Sequence, residues 1–230
     1  MIDIIRGGSP VPLTLEMLNL MVDFFTALAE KNKVMNLTSV TNPKEAAEIH
    51  FIDSLYLLTL PCFGGRVADI GSGGGLPAFP IAIASGLEVT CIEASRKKAE
   101  FLSSTAKQLC IGNIKVSRGR AEVLALDKKF RESFDTVVAR GVAKLGVLSE
   151  LCLPFVKPGG YFVSMKGDDA QSEIDSAKNA VKTLGGEVMS VTYYKLPITG
   201  RSRSLVCVKK VFQTPKGFPR AYAAIIKKPL

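Results

Sequence analysis

One histidine, His50, stands in 230 residues, and the five cysteines (Cys62, Cys91, Cys110, Cys152 and Cys207) are spread so that no two lie closer than 19 positions. A histidine-ligated metal site and a histidine-based triad therefore lack their parts, and a disulfide framework or paired-cysteine zinc site lacks its spacing. Reduced thiols in a cytoplasmic setting fit this usage. No apolar run approaches the ~18 to 20 residues of a membrane span, and the first residues lack the basic-then-apolar order of an export signal. A soluble, unexported protein without a metal centre is expected. Acidic residues are missing from the last 36 positions.

That last absence locates the net charge of +9. Residues 1–194 hold 21 basic and 21 acidic side chains, whereas residues 195–230 hold nine basic and no acidic ones. A neutral body with a basic end suggests a handle for a polyanion, the plain alternative being a solubilising tail. Phe212, Pro215, Phe218, Pro219 and Tyr222 are interleaved with those charges, which favours RNA, where rings stack on bases. Apolar residues at 47% against 22% charged supply a full core and exclude general disorder.

Along the chain, Leu15, Leu18, Val22, Phe25 and Ala29 predict an amphipathic helix over 13–30. Asn42 before Pro43 starts a second helix over 42–60, with Ala46, Ile49, Ile52 and Tyr56 as its inner stripe. From residue 66 short apolar runs alternate with helical stretches. Strands are expected at 67–70, 88–92, 113–117, 134–139 and 161–165, the last after a Lys157–Gly160 turn. Helices are expected at 77–85, 95–110, 120–131, 143–155 and 168–184. Such alternation indicates a parallel sheet covered on both faces. Residues 187–196 and 205–211 have no helix between them and read as an antiparallel hairpin at one sheet edge. The whole is expected to be one domain: a helical extension (1–62), a Rossmann-like α/β core (63–212) and a basic tail (213–230).

Asp69-Ile-Gly71-Ser-Gly73-Gly-Gly75-Leu76 lies between the first strand and its helix, where glycines let backbone approach a ligand and the helix start offers free N–H groups. A dinucleotide fingerprint wants a third glycine where Leu76 stands. Asp69 would also repel a pyrophosphate and suits a cationic ligand. The acid-x-Gly-x-Gly-x-Gly pattern resembles the first motif of class I S-adenosylmethionine-dependent methyltransferases, whose ligand carries an ammonium and a sulfonium. Glu93, 22 residues past Gly71 at a strand end, can accept both hydroxyls of an adenosine ribose. Arg120-Ala121-Glu122 falls where these enzymes grip the adenine edge, and the terminal hairpin matches their reversed seventh strand.

The substrate class narrows by elimination and then by resemblance. Val138-Ala-Arg140-Gly stands where amino-group methyltransferases carry an Asn/Asp-Pro-Pro-aromatic tetrapeptide, and Cys62 and Cys152 are poorly placed for a cytosine nucleophile and read as core cysteines. Asn32-Lys33, Asn36-Leu37-Thr38, His50-Phe-Ile-Asp53-Ser54, Gly71 to Pro77 with Pro80, Arg120-Ala-Glu122, Ala139-Arg140, Leu151 to Pro154 and Lys166-Gly167 occur in order. With Thr214-Pro-Lys216 and the basic end to Leu230, they resemble the ribosomal RNA small subunit methyltransferase G family, also called glucose-inhibited division protein B.

The resemblance implies methyl transfer from S-adenosylmethionine to N7 of one guanine of 16S rRNA, presented as RNA or as the small subunit. It also implies cofactor contacts at Gly71, Leu76, Ala121, Glu122 and Arg140, to which the loop reading adds Gly73 and Glu93. Gly141, in place of the family's small alanine, and Ala78-Phe79 depart from the pattern. No general base is assigned, because guanine N7 carries its lone pair in the neutral base; Arg140 is the leading candidate for a direct role. Lys166 and Arg203 are candidates for RNA phosphates. His50, Asp53 and Ser54, spaced by three and four, are expected to dock the N-terminal helices against the site loops. A monomer is expected. A methyltransferase-like RNA-binding assembly factor without catalysis is the alternative.

Overall fold

The computed structural model describes residues 1–230. Two helices come first, α1 (Ile2–Gly8) and α2 (Leu15–Met35). Thr14 caps α2 by accepting from the Met17 amide at 3.2 Å, and Asn36 closes it in a left-handed conformation. The buried face is Leu18, Met21, Phe24, Phe25 and Leu28, whereas Leu15 is 59% exposed. This corrects the expected stripe. Two adjacent apolar ridges share the same three-four spacing, and Phe24 decides between them by stacking on Phe79 (4.4 Å) and meeting Phe51 edge-on (6.2 Å).

The second helical run is not uniform. After α3 (Pro43–Ala46) the backbone widens into a π-helical segment, Ala47–Ile52, in which the Asp53 amide donates to the Glu48 carbonyl. It then tightens through α4 (Asp53–Leu55) into a 3₁₀ turn at Tyr56–Thr59. The wide turn presents Glu48, His50, Asp53 and Ser54, all buried, to the rest of the fold. Glu48 accepts from the Ile198 and Thr199 amides at 2.6 and 2.9 Å.

The sheet contains β1 (Val67–Ile70), β2 (Val89–Glu93), β3 (Ile114–Arg118), β4 (Phe134–Arg140), β5 (Val156–Lys166), β6 (Gly186–Lys195) and β7 (Ser202–Lys210), in the order β3-β2-β1-β4-β5-β7-β6. Strands β1 to β5 run parallel, and β7 is antiparallel to both β5 and β6. The covering helices are α5 (Ala78–Ser85), α6 (Arg96–Gln108), α7 (Ala121–Leu124), α8 (Leu145–Cys152) and α9 (Ala170–Thr183). One core layer joins α2 and the π segment to α5 and α6, and a second lies beneath α8 and α9. Two local expectations need correction. Lys157–Gly160 sits inside β5 as an irregularity in its pairing with β4 rather than before it. The helix expected over 120–131 is one turn, Ala121–Leu124, followed by turns around Asp127.

The basic end is docked rather than trailing. Lys210 has no exposed surface; its ammonium donates to the Leu153 and Leu184 carbonyls (2.8 and 3.2 Å) and to Thr214, with Glu132 at 3.4 Å. Burial lowers its pKa to about 8. Arg131 donates to the Thr214 and Phe218 carbonyls. Arg220 forks onto buried Glu150 at 2.8 and 2.6 Å, and its own amide donates to the same carboxylate. A final helix, α10 (Tyr222–Lys227), inserts Ile225 into the second core layer. Two of the nine basic groups, Lys210 and Arg220, are therefore structural.

Because Glu150 holds Arg220 through three hydrogen bonds, Glu150→Ala is expected to destabilise the protein by about 2 kcal/mol in urea unfolding and to open residues 213–230 to trypsin first. Unchanged unfolding with an equally protected tail would contradict this docking.

Candidate active site

Between β1 and β4 the strand order reverses, which opens a crevice at the C-terminal ends of the strands. The glycine loop follows β1 into that crevice. Gly71 takes φ +74°, and a Cβ there would press on Val142 of the β4 loop. Gly73, at φ +55°, faces space that a side chain would fill, since only the Gly71 carbonyl lies within 4 Å of a Cβ built there. Glu93 ends β2 beside the loop; its two oxygens accept from the Gly73 amide (2.9 Å) and the Ser95 amide (2.7 Å). Each oxygen keeps a further lone pair for a hydroxyl donor. The Leu76 side chain is buried in the first core layer, so only its backbone is available to a ligand.

Asp69 gives the clearest indication of what the crevice holds. It is 1% exposed, and its Oδ2 has no hydrogen-bond partner. Burial pushes its pKa up to about 7, with Arg140 opposing that shift. A buried carboxylate with an orphaned oxygen, next to a loop that leaves room above Gly73, fits a ligand with a cationic centre. A pyrophosphate would meet repulsion here. Across the crevice, Glu122 is buried and pairs with Arg120, whose guanidinium lies 4.6 Å from the centre of the Tyr222 ring. Ala121, half-buried, starts α7 between them.

Beside the loop opens a cavity of about 350 Å³ lined by Ile49, Asp53, Arg140, Gly141, Ala143, Met165, Lys166, Gly167 and Arg203. It brings together three of the residues singled out in the sequence. Arg140, at the end of β4, donates to the Ile49 carbonyl at 2.8 Å and lies 3.4 Å from Asp53 Oδ2. Lys166, at the end of β5, donates to the Ala143 carbonyl (2.8 Å) and to Glu173 (2.7 Å). Arg203, in β7, has Nε 3.4 Å from Asp53 Oδ1 without hydrogen-bond alignment. Gly141 adopts φ +66°, a conformation that a side chain would strain.

Asp53 is the residue whose importance sequence reasoning understated. It is 3% exposed, and Arg140, Arg203 and the Tyr194 hydroxyl (2.8 Å) converge on it. Tyr194 in turn stacks on Tyr56 at 3.9 Å. Its neighbour His50 lies 2.9 Å, through Nε2, from the Thr38 hydroxyl, and Ser54 donates to the His50 carbonyl. Burial and the nearby Arg140 lower the His50 pKa to about 4, so the ring is neutral near pH 7.

A histidine with a depressed folded pKa withdraws stability as pH falls from its unfolded value near 6.5 toward 4. Between about pH 7 and pH 5 this amounts to roughly 2 kcal/mol. His50→Gln is expected to reduce the difference in urea stability between those pH values by that order; an identical pH dependence in the variant would contradict the assignment.

A sequence model of the rRNA small subunit methyltransferase G family matches residues 17–206. Ribosomal RNA small subunit methyltransferase G of Desulforamulus reducens is 43% identical over 211 residues, which cover 90% of this chain and 88% of that protein. The Bacillus licheniformis protein of the same name is 41% identical over 210 residues, covering 90% and 88%. Among solved structures, TYW2 of M. jannaschii, crystallised in complex with AdoMet, superposes with a TM-score of 0.55 at 14% identity over 77% of this chain and 81% of that one. The YcgJ protein of Bacillus subtilis gives 0.52 at 16% identity over 70% and 98%. At such identities the structures speak for the fold alone. The sequence match spans most of the chain, and the chain belongs to the rRNA small subunit methyltransferase G family.

Proposed function

We propose that this chain, working as a single-domain monomer in the cytoplasm, methylates N7 of one guanine in the 16S rRNA of the small ribosomal subunit, with S-adenosylmethionine as methyl donor. The observation that carries the reading is the cationic cavity formed by Arg140, Lys166 and Arg203 directly beside the glycine loop and Asp69. When bound, S-adenosylmethionine supplies a methyl group activated by a positively charged sulfur. The backbone at Gly71, Gly73 and Leu76 shapes its seat, Glu93 accepts its ribose hydroxyls, and Ala121 and Glu122 border its adenine. Asp69 faces its cationic end, and Arg140 closes the seat on the cavity side.

The lining of the cavity suits a reaction that needs no proton removed before attack. Its one acid, Asp53, is occupied by two arginines and a tyrosine hydroxyl, and His50 is turned to Thr38. Guanine N7 is nucleophilic as the neutral base presents it, so rate comes from holding the base in place and excluding water. Arg140, fixed by the Ile49 carbonyl and Asp53, is positioned to bind guanine O6 or a phosphate while leaving N7 free. Lys166 and Arg203 supply charge for the flanking phosphates. The target base must leave its stack to reach the cavity. An assembly factor without catalysis has no need for an orphaned Asp69 beside an open Gly73.

The direct test offers labelled methyl donor to unmethylated small-subunit particles and, separately, to their deproteinised RNA. Label is expected in 7-methylguanosine after nucleoside digestion; label in another nucleoside, or in neither substrate, would overturn the reading. Arg140→Ala is expected to lower kcat/KM by about a hundredfold or more, well beyond its change in melting temperature. Arg203→Ala should weaken RNA binding and reduce the slope of log affinity against log salt by about one.

Asp69 adds a pH signature. Below about pH 7 the carboxyl is largely protonated and lacks its charge, whereas a cationic ligand favours the ionised form. Affinity for S-adenosylmethionine by calorimetry is therefore expected to rise roughly tenfold from about pH 5.5 to pH 7 and to be flat in Asp69→Asn. A flat profile in the unaltered protein would remove Asp69 from the binding site.

A further inference from the structure

The five cysteines are all free, but two of them meet. Cys62 lies in the turn between the 3₁₀ segment and β1, and Cys207 lies in the middle of β7; 145 residues separate them in sequence, yet their sulfurs are 3.2 Å apart. Cys62 is half-buried: it packs against the first core layer and also lines a solvent-open cavity of about 300 Å³ with Pro61, Thr136, Lys157 and Tyr161. Cys207 is 2% exposed. The pair is thus asymmetric, with one sulfur reachable by a small solute and the other held directly behind it.

We propose that Cys62 and Cys207 form a dithiol that hydrogen peroxide oxidises to a reversible disulfide, stapling the N-terminal helical extension to the sheet. The Cys62 thiolate attacks the peroxide oxygen, giving a sulfenic acid and releasing hydroxide, which takes up a proton to become water. The Cys207 sulfur then attacks the Cys62 sulfur, a second water leaves, and the S–S bond forms. Both thiol protons end in water, and the peroxide accepts the two electrons. The hydrogen bond from Cys207 holds the Cys62 thiol down at about 7 and pushes the Cys207 thiol up, so the accessible sulfur is the one that ionises. The two sulfurs must approach from 3.2 Å to the ~2.05 Å of a disulfide, a local movement in a turn.

The other cysteines lack this combination. Cys91 and Cys152 are fully buried with thiols raised by burial, and Cys110 is exposed without a partner. The seam to be stapled already carries Tyr56 on Tyr194, and Asp53 between Arg140 and Arg203. A covalent link there restricts the unfolded chain more than it alters the folded one.

The experiment treats the full-length protein with hydrogen peroxide, alkylates it in denaturant and maps the peptides by mass. The expected result is a Cys62–Cys207 cross-linked peptide, three alkylated cysteines in place of five, a higher melting temperature and full reversal by dithiothreitol. Cys207→Ser is expected to leave Cys62 trapped as a dimedone-reactive sulfenic acid, and Cys62→Ser to abolish both products. Should Cys207→Ser fold poorly, Cys207→Ala serves the same purpose. Oxidation at Cys110 ahead of Cys62, a bond between any other pair, or five alkylatable thiols after treatment would overturn the proposal.

Discussion

A single buried carboxylate organises the region where the chemistry takes place. Asp53 belongs to the helical extension, yet its two oxygens face Arg140 from β4, Arg203 from β7 and Tyr194 from β6. Removing the acid would leave two guanidiniums facing each other without compensation, so the cluster depends on Asp53 above all. It also decides where the cationic cavity lies. Without the extension, Arg140 and Arg203 would repel each other across the mouth of the sheet; with it, they sit at fixed positions on either side of one acid. In the proposed reaction Asp53 is therefore a positioning residue.

The same logic separates the basic side chains into two groups. Arg131, Lys210 and Arg220 have their donors satisfied inside the protein by carbonyls or by Glu132 and Glu150, and they hold the last residues against α8 and the sheet. Arg203 keeps part of its surface in the cavity, and Lys166 lines it while bonded to Glu173. The charge excess of the C-terminal residues is thus partly an instrument of folding. Docking the tail also brings Tyr222 over Arg120, next to Ala121 and Glu122, the pair proposed to border the adenine.

Much of this was legible in the sequence wherever the signal is local. The glycine loop, Glu93 at the end of β2, the alternation of strands and helices and the terminal hairpin each depend on neighbours a few residues away, and each lies where the pattern indicated. The inner face of α2 was misread because two apolar ridges carry the same period and only Phe79, far along the chain, selects between them. Spacing placed His50, Asp53 and Ser54 together, but the π-helical widening was invisible, as were the partners of Asp53, Arg140, Tyr194 and Arg203, all far along the chain. The Cys62–Cys207 contact is of the same kind: it exists only once β7 has been laid antiparallel beside β5.

Asp69 shows why such a site is held at some expense to the fold. A carboxyl raised to about 7 by burial withdraws stability as pH rises from its ordinary range near 3.8, because the unfolded chain ionises first. An amide at the same position would relieve that penalty, and nothing in the packing of β1 requires a charge there. In the proposed reading the ligand requires it: a sulfonium with a nearby ammonium would be bound by an acid that water does not screen, and burial is what removes the water. The orphaned Oδ2 and the open space at Gly73 are consistent with that proposed demand. The loop is shaped for a cation, and the cavity beside it for an anion. Methyl transfer from a positively charged donor to a base on a phosphate chain needs both within one crevice.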